Sequence, residues 1–324
     1  MMITLLIAFA VGIVLGKVML PVLHKLKFGQ NIYELAPEAH KKKQGTPTMG
    51  GLVIAGAAIA AALVMNDYSV PMGQNMLLAM LLMALGNLCI GFVDDMTKIR
   101  KGKNGGLTPK QKMIFQTLLA LAFSCYCYFH PQVGSVIKVP FFRVEWDLGI
   151  WYIPMMMFII VGTTNSANLL DGLDGLLTSV SMVDFATLAV LCGAASLGSL
   201  GVGCAAMCGA CMAFLSRNAY PAQMFMGDTG SLFLGGAVAG LAFACEMPLI
   251  LLLVGLIYII ETLSVILQVT YFKATHGKRL FKMAPIHHHF EMCGWGEKKI
   301  VLVFTGITVV LCLLAYHVAL APLF

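Results

Sequence analysis

The chain has 324 residues, 59% hydrophobic and only 11% charged, with a mean hydropathy of +0.87 and a formal net charge of +6. Soluble domains carry roughly a quarter of their residues as charges, so this balance excludes a soluble enzyme with a single anchor and predicts a polytopic helical membrane protein. The apolar runs are continuous and do not alternate, which argues against a membrane β-barrel, and the basic loops carry no nucleic-acid module.

In chain order, residues 1–23 are apolar but lack a basic start and a small-residue cleavage site, so they read as a retained first helix and not a signal peptide. At about 20 residues per crossing, about ten spans follow, near 2–23, 49–65, 75–93, 112–129, 149–164, 175–193, 197–215, 230–245, 248–272 and 300–322. They form one all-α domain over 1–324, with loops at about 24–48, 94–111, 165–174, 216–229 and 273–299 on one side. All Lys and Arg except Lys17, Lys138 and Arg143 fall in those loops or, for Lys112, at the adjoining span end. The positive-inside rule makes that side cytoplasmic, and an even span count then puts both termini outside. The stretch "GSVIKVPFFRVEWDLG" alternates around Pro140 and predicts a small external β-hairpin. The concentrated positive charge suits anionic lipid headgroups or a polyanionic substrate. In "CAAMCGAC", Cys204, Cys208 and Cys211 share a helical face; small polarizable residues at a helix contact is the favoured reading over zinc.

The acidic residues give the sharper signal. Asp94 and Asp95 ("GFVDDMTK"), Asp171 and Asp174 ("NSANLLDGLDGL") and Asp228 ("MFMGDTGS") all fall at helix ends on the cytoplasmic side. A lone Asp there is ordinarily a helix cap, as Asp228 or Asp174 could be. An adjacent Asp pair at a membrane interface is better explained by a cation or a substrate proton. Carboxylate-rich loops suit Mg²⁺, held by one or two carboxylates and substrate phosphates. Nearby lysines would hold phosphate oxygens, and the glycines of "DGLDG" and "GDTGS" admit a close anionic ligand. The set is that of phosphoryl transfer. Asp184 and Glu261 lie inside spans and are functional candidates by position, with no role assigned; Glu261 with Gln268 could mark an interrupted or kinked ninth helix. The block "APIHHHFEMCGWGE" puts three histidines on the same side. Successive residues on a helix turn by about 100°, so they cannot share one metal. A loop closing over the substrate's sugar and phosphates is favoured over zinc or a polar loop without a role.

"KKKQGTPTMGG" (41–51), "GFVDD" (91–95), "NSANLLDGLDGL" (165–176), "FMGDTGS" (225–231) and "PIHHHFEMCGWGE" (285–297), in this order from first span to last, resemble the phospho-N-acetylmuramoyl-pentapeptide transferases of bacterial cell-wall synthesis. The resemblance implies ten spans, a bacterial cytoplasmic membrane location, an active site facing the cytoplasm, Mg²⁺ dependence and a homodimer. It implies UDP-MurNAc-pentapeptide and undecaprenyl phosphate as substrates, with lipid I and UMP as products. It makes Asp228 the Mg²⁺ ligand and Asp94 or Asp95 the base for the acceptor phosphate, with either one open as a further ligand. Lys112 is preferred to Lys110 as the lysine after the Asp pair. Asn165, Asn168, Asp171, Gly172 and Asp174 line the donor, the last two near uridine. Asn218 and Phe225 make the uracil pocket, and Lys43 and Thr48 contact nucleotide and active site. Of the histidines, His288 falls with the catalytic residues, and His287 and His289 bind the muramoyl group. Two other readings stay open: a UDP-GlcNAc polyprenyl-phosphate transferase, disfavoured by the histidine block, and a transporter, disfavoured by carboxylates at one face without an inverted repeat.

Overall fold

The computed structural model describes residues 1–25, 43, 45–69, 76–101, 105–131, 133–139, 142 and 144–320. Of the positions read above, Lys27, Lys41, Lys42, Lys103, Pro140 and Arg143 lie outside the described residues. The helices are α1 (Met2–Lys25), α2 (Gly51–Met65), α3 (Met76–Lys101), α4 (Pro109–Phe129), α5 (Tyr152–Leu170), α6 (Leu176–Ala194), α7 (Gly198–Asn218), α8 (Gly227–Ala244), α9 (Leu251–Val254), α10 (Leu256–Ala274), α11 (Ile286–Met292) and α12 (Glu297–Leu320). Between α4 and α5, strands β1 (Val136–Val139) and β2 (Val144–Asp147) pair antiparallel, Val136 opposite Asp147.

Among the described residues, eight helices (α1, α3 to α7, α10 and α12) are long and apolar enough to cross a membrane, so this is a multi-pass membrane protein. The other two sequence-predicted spans are of a different kind. Helix α2 is apolar but only 15 residues long, and α8 is an inner helix whose residues from Thr229 to Ala244 are all buried. It packs chiefly against α3 and α5, while α7 packs against α1, α2 and α6. Small residues let these backbones approach, as at helix contacts in membranes. A methyl group on Gly91 of α3 would overlap the backbone of Asp228, and one on Gly51 of α2 would overlap that of Gly230. These two contacts fix the start of α8 between α2 and α3.

The ninth predicted span is not one helix. A 3₁₀ turn (Pro248–Ile250) leads into α9, the helix is interrupted at Gly255, and α10 continues. The interruption lies ahead of the expected Glu261–Gln268 stretch. Both residues sit inside α10, and the Gln268 side chain accepts a hydrogen bond from the Phe281 N–H (2.8 Å), so it holds the following loop and marks no kink.

Candidate active site

Three carboxylates from two helices meet at one end of the bundle. Asp94 and Asp95 stand about two turns before the end of α3, which runs on past the expected loop start to Lys101, and Asp228 stands in the first turn of α8, where the helix dipole favours an anion. Each offers one oxygen, and these oxygens lie within 4.8 Å of one another. Lys98, one turn beyond the pair on α3, puts its ammonium among them: 2.6 Å from Asp94 Oδ2, 3.1 Å from Asp228 Oδ2 and 3.6 Å from Asp95 Oδ1. A second cation comes from α4. Thr108 and Gln111 form a capping box with Pro109 at the first helical position, which starts α4 at a defined residue. Lys112 is thereby set in its first turn, with Nζ 2.8 Å from Asp228 Oδ2 and 3.2 Å from Asn168 Oδ1. Asn168 Nδ2 donates to Asp228 Oδ1 (2.9 Å) and to Ser231 Oγ (2.9 Å).

The neighbouring aspartates differ in their commitments. Asp95 accepts from the backbone N–H groups of Asp228 (3.3 Å) and Thr229 (2.9 Å) and from the Thr229 hydroxyl (2.7 Å). It therefore caps α8 from another helix, satisfying N–H groups that have no partner inside α8. Asp94 accepts from the Leu107 N–H (2.7 Å), pairs with Lys98 and shares a hydrogen bond with the Asp228 carboxyl. All the acidic ligand atoms are hard oxygens, and a lysine ammonium already bridges them, so the residues present fit a hard divalent cation.

A second polar cluster joins segments remote in sequence. Lys43 Nζ lies 2.7 Å from Asp174 Oδ1 and 2.6 Å from Glu297 Oε2 at the start of α12, and 5.9 Å from the centre of the Tyr220 ring. Asp174 Oδ2 accepts from the Ala222 N–H (2.9 Å). Between the two clusters, burial pushes the Asp171 carboxyl well above its ordinary range, and the nearby charges of Asp228, Asp95 and Asp174 push the same way. Gly172 packs directly against His287. The segment holding Thr48 is joined to the start of α8 by backbone bonds: Phe225 N–H to the Pro47 carbonyl (2.8 Å), Gly50 N–H to that of Phe225 (2.9 Å) and Gly51 N–H to that of Met226 (3.0 Å). Thr48 and Phe225 are both half-buried. Asn218 is buried and engaged internally, accepting from the Thr178 hydroxyl (2.6 Å) and donating to the Met224 carbonyl (3.0 Å). Asn165 donates to Gln116 Oε1 (2.9 Å) and the Val161 carbonyl (2.8 Å).

The three histidines form part of α11; the ring centres of His287 and His288 lie 4.1 Å apart, but the three take separate hydrogen-bond partners. His287 is fully buried, its Nδ1 3.0 Å from Glu261 Oε2 of α10. His288 Nδ1 lies 2.5 Å from Glu291 Oε2. His289 Nδ1 accepts from the Lys282 N–H (3.1 Å), edge-on to the Phe281 ring.

Thus Asp94, Asp95, Asp228, Lys112 and Asn168 are brought together, Lys43 and Asp174 form a neighbouring pair, and Gly172 and His287 touch. Sequence reading missed Lys98, Glu297 and the partner of Glu261. Lys98 was legible: it stands three and four residues after the Asp pair on one helix. Glu297 was not, because its meeting with Lys43 spans most of the chain.

Known sequences share this framework. The model of glycosyl transferase family 4 matches residues 77–246, and a phospho-N-acetylmuramoyl-pentapeptide-transferase signature matches residues 43–54, the strap beside α8. A phospho-N-acetylmuramoyl-pentapeptide-transferase of Clostridium perfringens (strain SM101 / Type A) is 51% identical over 312 residues, covering 96% of this chain and 94% of the relative. Those of Clostridium novyi (strain NT) and Clostridium kluyveri (strain NBRC 12016) are 47% and 46% identical, with coverage of 98% and 97% of this chain and 96% and 97% of theirs. With the family model covering more than half of the chain and near-complete alignment to such relatives, the chain belongs to the phospho-N-acetylmuramoyl-pentapeptide-transferase family.

Proposed function

We propose that the chain transfers phospho-N-acetylmuramoyl-pentapeptide from UDP-MurNAc-pentapeptide to undecaprenyl phosphate, giving lipid I and UMP. This is the first membrane step of peptidoglycan synthesis, carried out in the bacterial plasma membrane with the site at its cytoplasmic face. The observation that carries the reading is the convergence of Asp94, Asp95 and Asp228 with Lys98 and Lys112 at the start of α8, in a chain about half identical to enzymes named for this reaction.

The reaction forms a P–O bond between an acceptor phosphate oxygen and the sugar-bearing phosphorus. The bridging P–O bond to the uridine phosphate breaks, and its electron pair leaves on UMP. The acceptor is already a nucleophile, so positioning and charge suffice and no covalent enzyme intermediate is required. Mg²⁺, held by Asp228 with Asp94 and Asp95, would neutralise charge on the diphosphate. Asp95 has its oxygens on the start of α8, which makes it the residue that fixes Asp228. Asp94 has no part in capping α8 and takes the proton of the acceptor phosphate. Lys98 and Lys112 hold phosphate oxygens as point charges once substrates separate them from the aspartates. Lys43, paired with Asp174, lies where the nucleotide end of the donor is read, and α11 closes the sugar side. The lysine-rich rim suits two anionic substrates, and the apolar spans suit the prenyl chain.

The test is purified protein with Mg²⁺ and undecaprenyl phosphate, given UDP-MurNAc-pentapeptide or UDP-GlcNAc in parallel. The expected result is lipid I and UMP from the first donor only. Turnover of UDP-GlcNAc with no product from UDP-MurNAc-pentapeptide would overturn the assignment.

A further inference from the structure

An acidic residue inside a membrane helix demands a partner, because a lone carboxylate there is costly. Glu261 of α10 is fully buried, and its partner comes from outside the helix: His287 Nδ1, 3.0 Å from Oε2, itself fully buried. Holding Nδ1 fixes the imidazole about its ring bonds, as a carboxylate behind a functional histidine commonly does. The opposite edge, Nε2, has no polar partner among the described residues. It abuts Gly172, where a methyl group would overlap Nε2 and stand 2.7 Å from Cε1. Three elements are thus joined in one line: α10 through Glu261, α11 through His287, and the 171–175 turn through Gly172. That turn carries Asp171 and leads to Asp174, whose carboxylate binds Lys43 and the Ala222 N–H.

We propose that Glu261 is a positioning residue for donor binding: through His287 and Gly172 it sets the height of the Asp171–Asp174 turn against the substrate. Glu261 touches no substrate itself. The absence of a side chain at residue 172 is part of the same device, since any Cβ would push His287 off its carboxylate or lift the turn. The inference rests on reading that turn as the donor loop, so its failure must be told apart from failure of that reading.

The test uses full-length protein in detergent, with separate KM values for UDP-MurNAc-pentapeptide and undecaprenyl phosphate and a melting curve for each variant. Glu261→Leu removes the hydrogen-bond acceptor and is expected to raise the donor KM between about 10- and 100-fold, leaving the acceptor KM unchanged. Glu261→Gln keeps an oxygen for Nδ1 and is expected to restore the donor KM to within about threefold of wild type. Gly172→Ala reaches the same contact from the other side, needs no buried charge to be removed, and is expected to show the same split. A merely structural role would shift both KM values and the melting temperature together. An unchanged donor KM in Gly172→Ala, or equal rises for donor and acceptor in both variants, would overturn the proposal. A wild type that makes no lipid I would instead remove the donor reading beneath it.

Discussion

The carboxylates and the histidines solve opposite problems. Asp94 and Asp228 are separated by more than a third of the chain, yet they share one ammonium at 2.6 and 3.1 Å. His287, His288 and His289 are consecutive, yet they face a buried Glu261, a neighbouring Glu291 and a backbone N–H. Convergence requires tertiary contacts that pin each contributor, here Gly91 against α8 and Asp95 on its N-terminus. Divergence requires only a helix. A site is thus read from what side chains meet, and a conspicuous run in sequence is several single residues with separate tasks.

The contrast can be broken most directly at its centre. Asp228→Ala is expected to lower turnover by about 10³-fold or more, the scale of a lost charge-stabilising group, with melting unchanged within a few degrees. Near-normal activity would show that the cluster is not the site. Lys98→Met comes next, with a loss of about 10²- to 10³-fold and weaker binding of the diphosphate donor measured at equilibrium. An effect confined to stability would make Lys98 a structural counter-ion only.

The two adjacent aspartates should separate. Asp95→Ala is expected to cost about 0.5–2 kcal/mol of stability through the lost cap on α8, in addition to activity. Asp94→Ala should cost activity without that loss. Chemical or thermal unfolding beside a rate assay distinguishes them, and identical stability in the two variants contradicts the capping role of Asp95. Smallest, and on the histidine side, His287→Ala should raise the donor KM about 10- to 100-fold, whereas His289→Ala should change it by no more than about threefold because its ring serves a local turn. Equal effects at both positions would mean that the block acts as a unit.

Much of this was legible in the sequence. Span positions follow from apolar runs, since each helix must be apolar over its full length to cross the membrane. The ends of α6 and α7 fall within about three residues of expectation, the usual margin for boundaries. The acidic motifs announced themselves because charge is rare in this chain. What stayed hidden depends on packing. Nothing local distinguishes α8, whose walls are entirely protein, from a lipid-facing span. The interruption at Gly255 came before the polar residues that suggested it. Glu261 was visible as an anomaly, but its partner lies on another helix, and so its meaning did not.

The join between residues 47–51 and 225–226 is made wholly by main-chain atoms. Its register therefore depends on chain length, and at Gly50 and Gly51 also on there being no side chain. Substitutions at Thr46 or Pro47 should spare it to the extent that the main chain keeps its path. A single residue inserted between Pro47 and Gly50 would lengthen the chain between the Pro47 bond and the Gly50 and Gly51 bonds, so that the three could not all be kept. Length is thus a quantity on which this part of the protein tolerates no drift.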